Sequence, residues 1–173
     1  MTIKINTIDD LELPIMQPLI IPTKDLPWYS ALWVWMTVKR RFRIKEDYYF
    51  KMTWLPGEPV IKIHKNFIFD GASIPRLLWW ILSPTGLLFV PAIFHDFGYT
   101  FNAWVMMDDK LYEPAKGQKF FDDQFKNFSE LLNGVPLVSS SAWASLRTFG
   151  KIAWAKKRLL DFILPEMIQN VNE

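Results

Sequence analysis

The chain has 173 residues, with nine Trp, fourteen Phe, no Cys and a net charge of +2. That length suits one domain with a substantial core, and so small a charge argues against nucleic acid as a partner. The lack of Cys excludes disulfides and thiolate metal sites, so the expected place of synthesis is a reducing cytoplasm. Residues 1–10 are polar with no apolar stretch, and no signal peptide is expected there. Aromatic content this high predicts a dense core or broad apolar contact with a partner or with lipid.

In chain order, residues 1–30 carry Pro14, Pro18, Pro22 and Pro27 between short apolar pieces. This reads as an extended arm, either docking on another subunit or wrapping its own core. Residues 31–173 are expected to form a single α+β domain, β-rich over 31–66 and helical over 73–165. Strands are expected at 33–38, where Trp33-Val34-Trp35-Met36-Thr37-Val38 is rich in β-formers, and at 40–45, 48–54 and 60–64. Pro56-Gly57 marks a turn between the last two, and a small antiparallel sheet follows from the set. The run Lys39-Arg40-Arg41-Phe42-Arg43 reads either as the charged outer face of a strand or as a contact for anionic head groups.

Residues 69–99 hold the most chemically capable pattern. Asp70-Gly71-Ala72-Ser73-Ile74-Pro75 opens the stretch, an uncharged run over 77–94 follows, and His95-Asp96-Phe97-Gly98-Tyr99 closes it. The uncharged run is long enough to be a transmembrane candidate, but Pro84, Gly86 and Pro91 interrupt it, so a buried or interfacial segment is expected. On a helix His95 and Tyr99 are four apart and share a face, so one partner can touch both. Asp96 lies about 100° further round and faces elsewhere. Two readings stand on spacing alone. Either His95 is a base near neutral pH with Asp96 beside it for a hard cation, or the pair is a structural histidine and a solvated charge. His64, the other histidine, reads as structural at a strand end.

Further on, Phe121, Phe125, Phe128 and Leu132 recur at i, i+4, i+7 and i+11, the stripe of an amphipathic helix facing the core. Asp122 lies about 60° from Phe125, at the stripe edge, whereas Asp123 points outward. The helix is expected to stop near Asn133-Gly134. Ser139-Ser140-Ser141 then reads as an N-cap for a long helix from 142 to about 164, basic on one side.

These residues carry a resemblance. His95-Asp96-Phe97-Gly98-Tyr99 resembles the His-Asp-x-x-Tyr active-site helix of the phospholipase A2 superfamily, in its prokaryotic and fungal form. Asp70-Gly71-Ala72-Ser73 is similar to the calcium loop of that branch, with Ala in place of Cys. Asp122-Asp123-Gln124-Phe125 is similar to its downstream Asp-x-x-Phe, and the three motifs stand in the same order. The same landmarks make the chain resemble a small family common in bacteriophage genomes, DUF1353.

The first resemblance implies two antiparallel helices as a phospholipase A2-like core and a calcium-dependent lipid ester hydrolase. In it His95 activates water, Asp122 orients His95, and Tyr99 braces Asp122. Asp96, Asp70 and carbonyls near Gly71 hold Ca2+, and the partner is phospholipid at a membrane surface. The second implies a phage protein, and with it the alternative of a non-catalytic virion or interaction module. In that case the arm meets other phage structural proteins and the cluster is a buried network. A third reading, a metal-dependent phosphohydrolase, gathers His64, His95, Asp96 and Asp122.

Overall fold

In the structure, a computed structural model, residues 3–20, 23–37, 41–69 and 88–158 are described. Among them are seven short strands, β1 (Ile5–Asn6), β2 (Met16–Pro18), β3 (Phe42–Ile44), β4 (Tyr48–Lys51), β5 (Val60–Ile63), β6 (Ile68–Phe69) and β7 (Val105–Met106). Four helices accompany them: α1 (Trp28–Thr37), α2 (Phe89–Phe101), α3 (Gly117–Asn133) and α4 (Pro136–Arg158). The protein is α+β, with six of the seven described strands before α2 and the longest described helix, α4, last.

The strands form two sheets, ordered β1-β4-β5-β7 and β2-β3-β6, instead of the one small sheet expected. The proline-bearing leader supplies a strand to each. β1 runs parallel to β4, and β2 lies antiparallel to β3 on the sheet edge, where Pro18 costs no ladder hydrogen bond. The period of two in β4 and β5 puts Tyr48 and Phe50 inward opposite Ile63 and Ile61. β7, which follows α2 in the chain, pairs with β5 at the edge of that sheet, and Val105 bridges Leu111 across a turn.

One expected strand is a helix. Residues 33–37 belong to α1, which begins just after Pro27, and the Ala31 N–H bonds the Pro27 carbonyl at 2.9 Å. Trp, Val and Met in that run show no alternation of apolar and polar residues, and strand propensity differs from helix propensity by too little to decide without it. The start of α4 also differs. Pro136 takes the first helical position, where its missing N–H is no loss, six residues before the expected start. The serines lie inside the helix, where the hydroxyls of Ser139 and Ser141 bond the carbonyls of Val135 and Leu137.

Of the long apolar run, residues 88–94 are buried and open α2, with Pro91 tolerated in its first turn. The rest of the run lies outside the described residues, as do Asp70 and Gly71. No described helix is long and apolar enough to cross a membrane.

The core forms where the sheet meets α2 and α3. The ring of Phe50 on β4 lies 5.8 Å from that of Phe94 on α2 and 4.7 Å from that of Phe128 on α3. Each such fully buried ring contributes about 1.5–3 kcal/mol relative to exposure. Trp104 is buried beside Phe94 and donates its indole N–H to the Phe94 carbonyl at 3.0 Å. The helix pairings run in opposite senses, Asn102 with Gly117, Tyr99 with Gln118 and His95 with Asp122. α2 and α3 are therefore antiparallel.

Candidate active site

Two glycines set how closely the helices meet. A Cβ on Gly98 of α2 would stand 2.2 Å from the ring of Phe121, so only glycine lets α3 approach there. A Cβ on Gly150 of α4 would stand 2.7 Å from the Tyr99 hydroxyl. At these contacts α2, α3 and α4 converge around Asp122.

Asp122 is fully buried and binds three side chains. Its Oδ1 is 3.0 Å from His95 Nε2 and accepts the Tyr99 hydroxyl at 2.5 Å, while Oδ2 accepts Arg147 Nη1 at 3.1 Å. Gln118 Nε2 in turn donates to the Tyr99 oxygen at 3.1 Å. The stripe argument placed Asp122 inward and Asp123 outward, and that is how they lie. Asp123 is partly exposed, pairs with Lys119, and accepts the indole N–H of Trp143 at 3.0 Å. His95 and Tyr99 share one helix face, with ring centroids 4.0 Å apart, and meet the same carboxylate.

An ionised Asp122 only accepts, so Nε2 of a neutral His95 carries its proton and Nδ1 keeps a lone pair. That nitrogen faces the other way, 3.8 Å from Asp96 Oδ1. The imidazole therefore lies between two carboxylates. Burial, the largest single influence, works against the charged ring, but the bond to Asp122 and the nearness of Asp96 together outweigh it, and the His95 pKa is raised above the usual 6.5. Tyr99 is pushed upward first by burial and then by its bond to Asp122, and stays protonated as a donor.

α4 also ties down α2 beyond the carboxylate. Lys157 Nζ donates to the Thr100 hydroxyl at 3.1 Å and lies 3.4 Å from the Asp96 carbonyl oxygen. Trp154 packs edge-on against Tyr99 with centroids 5.1 Å apart.

The expected calcium ligands are only partly within view. Asp96 supplies one hard carboxylate on the Nδ1 side of His95, the right donor chemistry for Ca2+, which takes six to eight oxygens. Asp70 and Gly71 lie outside the described residues. Among the described residues no three His, Asp or Glu side chains gather in a metal-capable group. His64, His95, Asp96 and Asp122 therefore do not form the metal set of the phosphohydrolase reading. His64 sits instead at the end of β5 against Phe97, its Nδ1 buried without a hydrogen-bond partner.

Two members of the cluster escaped the sequence reading. Arg147 belongs to the basic residues of the long helix, for which a solvated side is expected, yet it reaches Asp122. Trp143, Arg147, Gly150 and Trp154 repeat the i, i+4, i+7, i+11 spacing that exposed the α3 stripe, which marks Arg147 as inward-facing. Gln118 stands one turn before Asp122 on the same face.

A sequence model described as "Protein of unknown function (DUF1353)" matches residues 42–129. That stretch contains His95, Tyr99 and Asp122, whereas Arg147 and α4 lie beyond it. No curated protein and no solved structure matches the chain.

Proposed function

The chain belongs to the DUF1353 family, and from the geometry of the His95 cluster we propose that it is a calcium-dependent, phospholipase A2-like lipid ester hydrolase with His95 as its base. One observation carries the reading. A single buried carboxylate oxygen of Asp122 holds both His95 Nε2 and the Tyr99 hydroxyl, leaving Nδ1 as the acceptor on the opposite edge of the ring.

In this reading Nδ1 takes a proton from a water molecule as the water oxygen bonds to the ester carbonyl carbon. The tetrahedral adduct then collapses, the bond to the alcohol oxygen breaks, and the imidazolium returns its proton to the departing alkoxide. Asp122 keeps the ring in one tautomer and stabilises the imidazolium. Tyr99 and Arg147 hold Asp122 in the geometry this requires. Asp96, with Asp70 and carbonyls near Gly71, is the set that would hold calcium, whose positive charge would favour the developing oxyanion and the lipid phosphate.

The test is fatty-acid release from mixed phospholipid vesicles, with calcium and with chelator, for the wild type and His95→Gln. Calcium-dependent release by the wild type, lost in the variant, is the expected result. No release by a folded wild type across several head groups overturns the reading. A second reading is favoured by the closed character of the cluster, since His95 is only 6% exposed and Asp122 not at all. On that reading the chain is a non-catalytic phage virion or interaction subunit, and the cluster is a buried network holding three helices together.

A further inference from the structure

The Tyr99 oxygen is bonded in two directions. It donates to Asp122 Oδ1 at 2.5 Å and accepts Gln118 Nε2 at 3.1 Å. A phenol has one proton and keeps lone pairs for a donor, and the proton turns toward the acceptor that binds it best. A carboxylate wins that contest, because a hydrogen bond to an ionised acceptor is roughly twice as strong as a neutral one. A side-chain amide carries both kinds of group, so its orientation at position 118 matters. With Nε2 toward the phenol it adds a donor. With Oε1 there it would compete for the proton that Asp122 takes.

Three features of the helices put the amide in place. Gln118 and Asp122 are four apart on α3, so both side chains lie over one face and reach the same phenol. The first residue of α3, Gly117, has φ +80° and gives its N–H to Asn102 Oδ1 at 2.8 Å, which pins the start of α3 to the end of α2. On α4, Gly150 keeps the niche open, since a Cβ there would stand 3.2 Å from Gln118 Nε2 as well as 2.7 Å from the Tyr99 oxygen. The result is one line of bonds, from the Gln118 N–H to the Tyr99 O–H to Asp122 Oδ1, the oxygen that also meets His95 Nε2. Each bond in such a line polarises the next. An amide donating to the phenol oxygen makes its O–H a stronger donor, which draws charge from Oδ1 and leaves the His95 proton on Nε2.

We propose that Gln118 is a positioning residue of the site: from the far side of Tyr99 it directs the phenol proton onto Asp122, and so reserves Nδ1 of His95 as the base. It acts through Tyr99, one bond removed from the carboxylate. The inference deepens the lipid-hydrolase reading and rests on it for the reaction that the ordered line of bonds serves.

The experiment reads the ring-nitrogen shifts of His95 by NMR, in chelator and at alkaline pH. The wild type is compared with Gln118→Met, Gln118→Glu, Tyr99→Phe and Tyr99→Phe/Gln118→Met. Met removes the donor at nearly the same size, and Glu replaces it with an acceptor. Both suit a helix about as well as Gln, so the variants should keep the wild-type fold by circular dichroism. The expected result is an Nε2 resonance shifted by Gln118→Met and shifted further by Gln118→Glu, with no added effect of Gln118→Met once Tyr99→Phe has removed the hydroxyl. An unmoved resonance overturns the proposal. So does the same shift with and without the hydroxyl, which marks packing instead of a line of bonds. In the fatty-acid assay Gln118→Met should lower kcat by roughly two- to tenfold, the worth of one net hydrogen bond, with KM unchanged. A raised KM at unchanged kcat also overturns it. Because the NMR arm needs no turnover, the expected shifts in a protein that releases no fatty acid sink the hydrolase reading and leave the line of bonds standing. Release without those shifts sinks this proposal and spares the hydrolase reading.

Discussion

The two histidines occupy opposite electrostatic situations. At the end of β5, His64 is half-buried against Phe97, with Nδ1 buried and unpartnered. Its pKa is lowered, first by burial and then by repulsion from Lys62, which Asp47 and Asp109 only partly offset. On α2, His95 is more deeply buried, yet its pKa is raised because Asp122 and Asp96 flank the ring. Burial pushes both in the same direction. Neighbouring carboxylates reverse the sign at one site, and that is what sets the two rings apart.

The largest way to break this contrast is Asp122→Ala. It strips His95, Tyr99 and Arg147 of their shared acceptor and should cost about 3–5 kcal/mol, as loss of a buried ionic partner does. Denaturant unfolding measures it, and a cost below about 1 kcal/mol would show that the cluster is not a coupled network. Arg147→Met is the smaller probe. It leaves one oxygen of a fully buried carboxylate short of its donor, an expected loss of about 1–3 kcal/mol in the same assay. An unchanged midpoint would make α4 a bystander to the site.

The smallest effect is the pH dependence, which sharpens the comparison directly. The folded pKa of His95 is raised, so its stabilising contribution is complete below 6.5 and is lost as pH climbs through the raised value. The folded pKa of His64 is lowered, so the protein is at full strength above 6.5 on its account and weakens as pH falls below that. His64→Phe should therefore flatten the acid side of a stability–pH curve, and His95→Gln the alkaline side, both in chelator. Ring-proton NMR of only two histidines reads the same signs. Titration of His64 above 6.5 or of His95 below it would contradict the environments described.

Much of the site was legible because it is written in helix periodicity. His95 and Tyr99 four apart, and Asp122 on the edge of the Phe121, Phe125, Phe128 stripe, are local statements about which face a residue occupies. Arg147 obeys the same rule, but Arg147, Lys151, Lys156, Lys157 and Arg158 together read as one solvated basic side and mask it. A single inward cation is compatible with such a helix when a buried carboxylate awaits it. The strand expected from residue 33 onward is a helix over 33–37 for a different reason. Its aromatic and β-branched residues suit a strand, but the sheet places beside β3 and β4 are filled by β2 and β1 from the leader, and α1 is helical instead.

The sequence alone therefore determined the α+β class, the inward face of α3 and the shared face of His95 and Tyr99, because each follows from a period of two or 3.6 along one segment. Only the tertiary structure decided that the leader enters both sheets and that α4 reaches the cluster. The same is true of the opposite signs of the two histidines. Each of these depends on residues distant in the chain meeting across helix contacts, at two of which glycine leaves room. No local pattern encodes the distance between two elements.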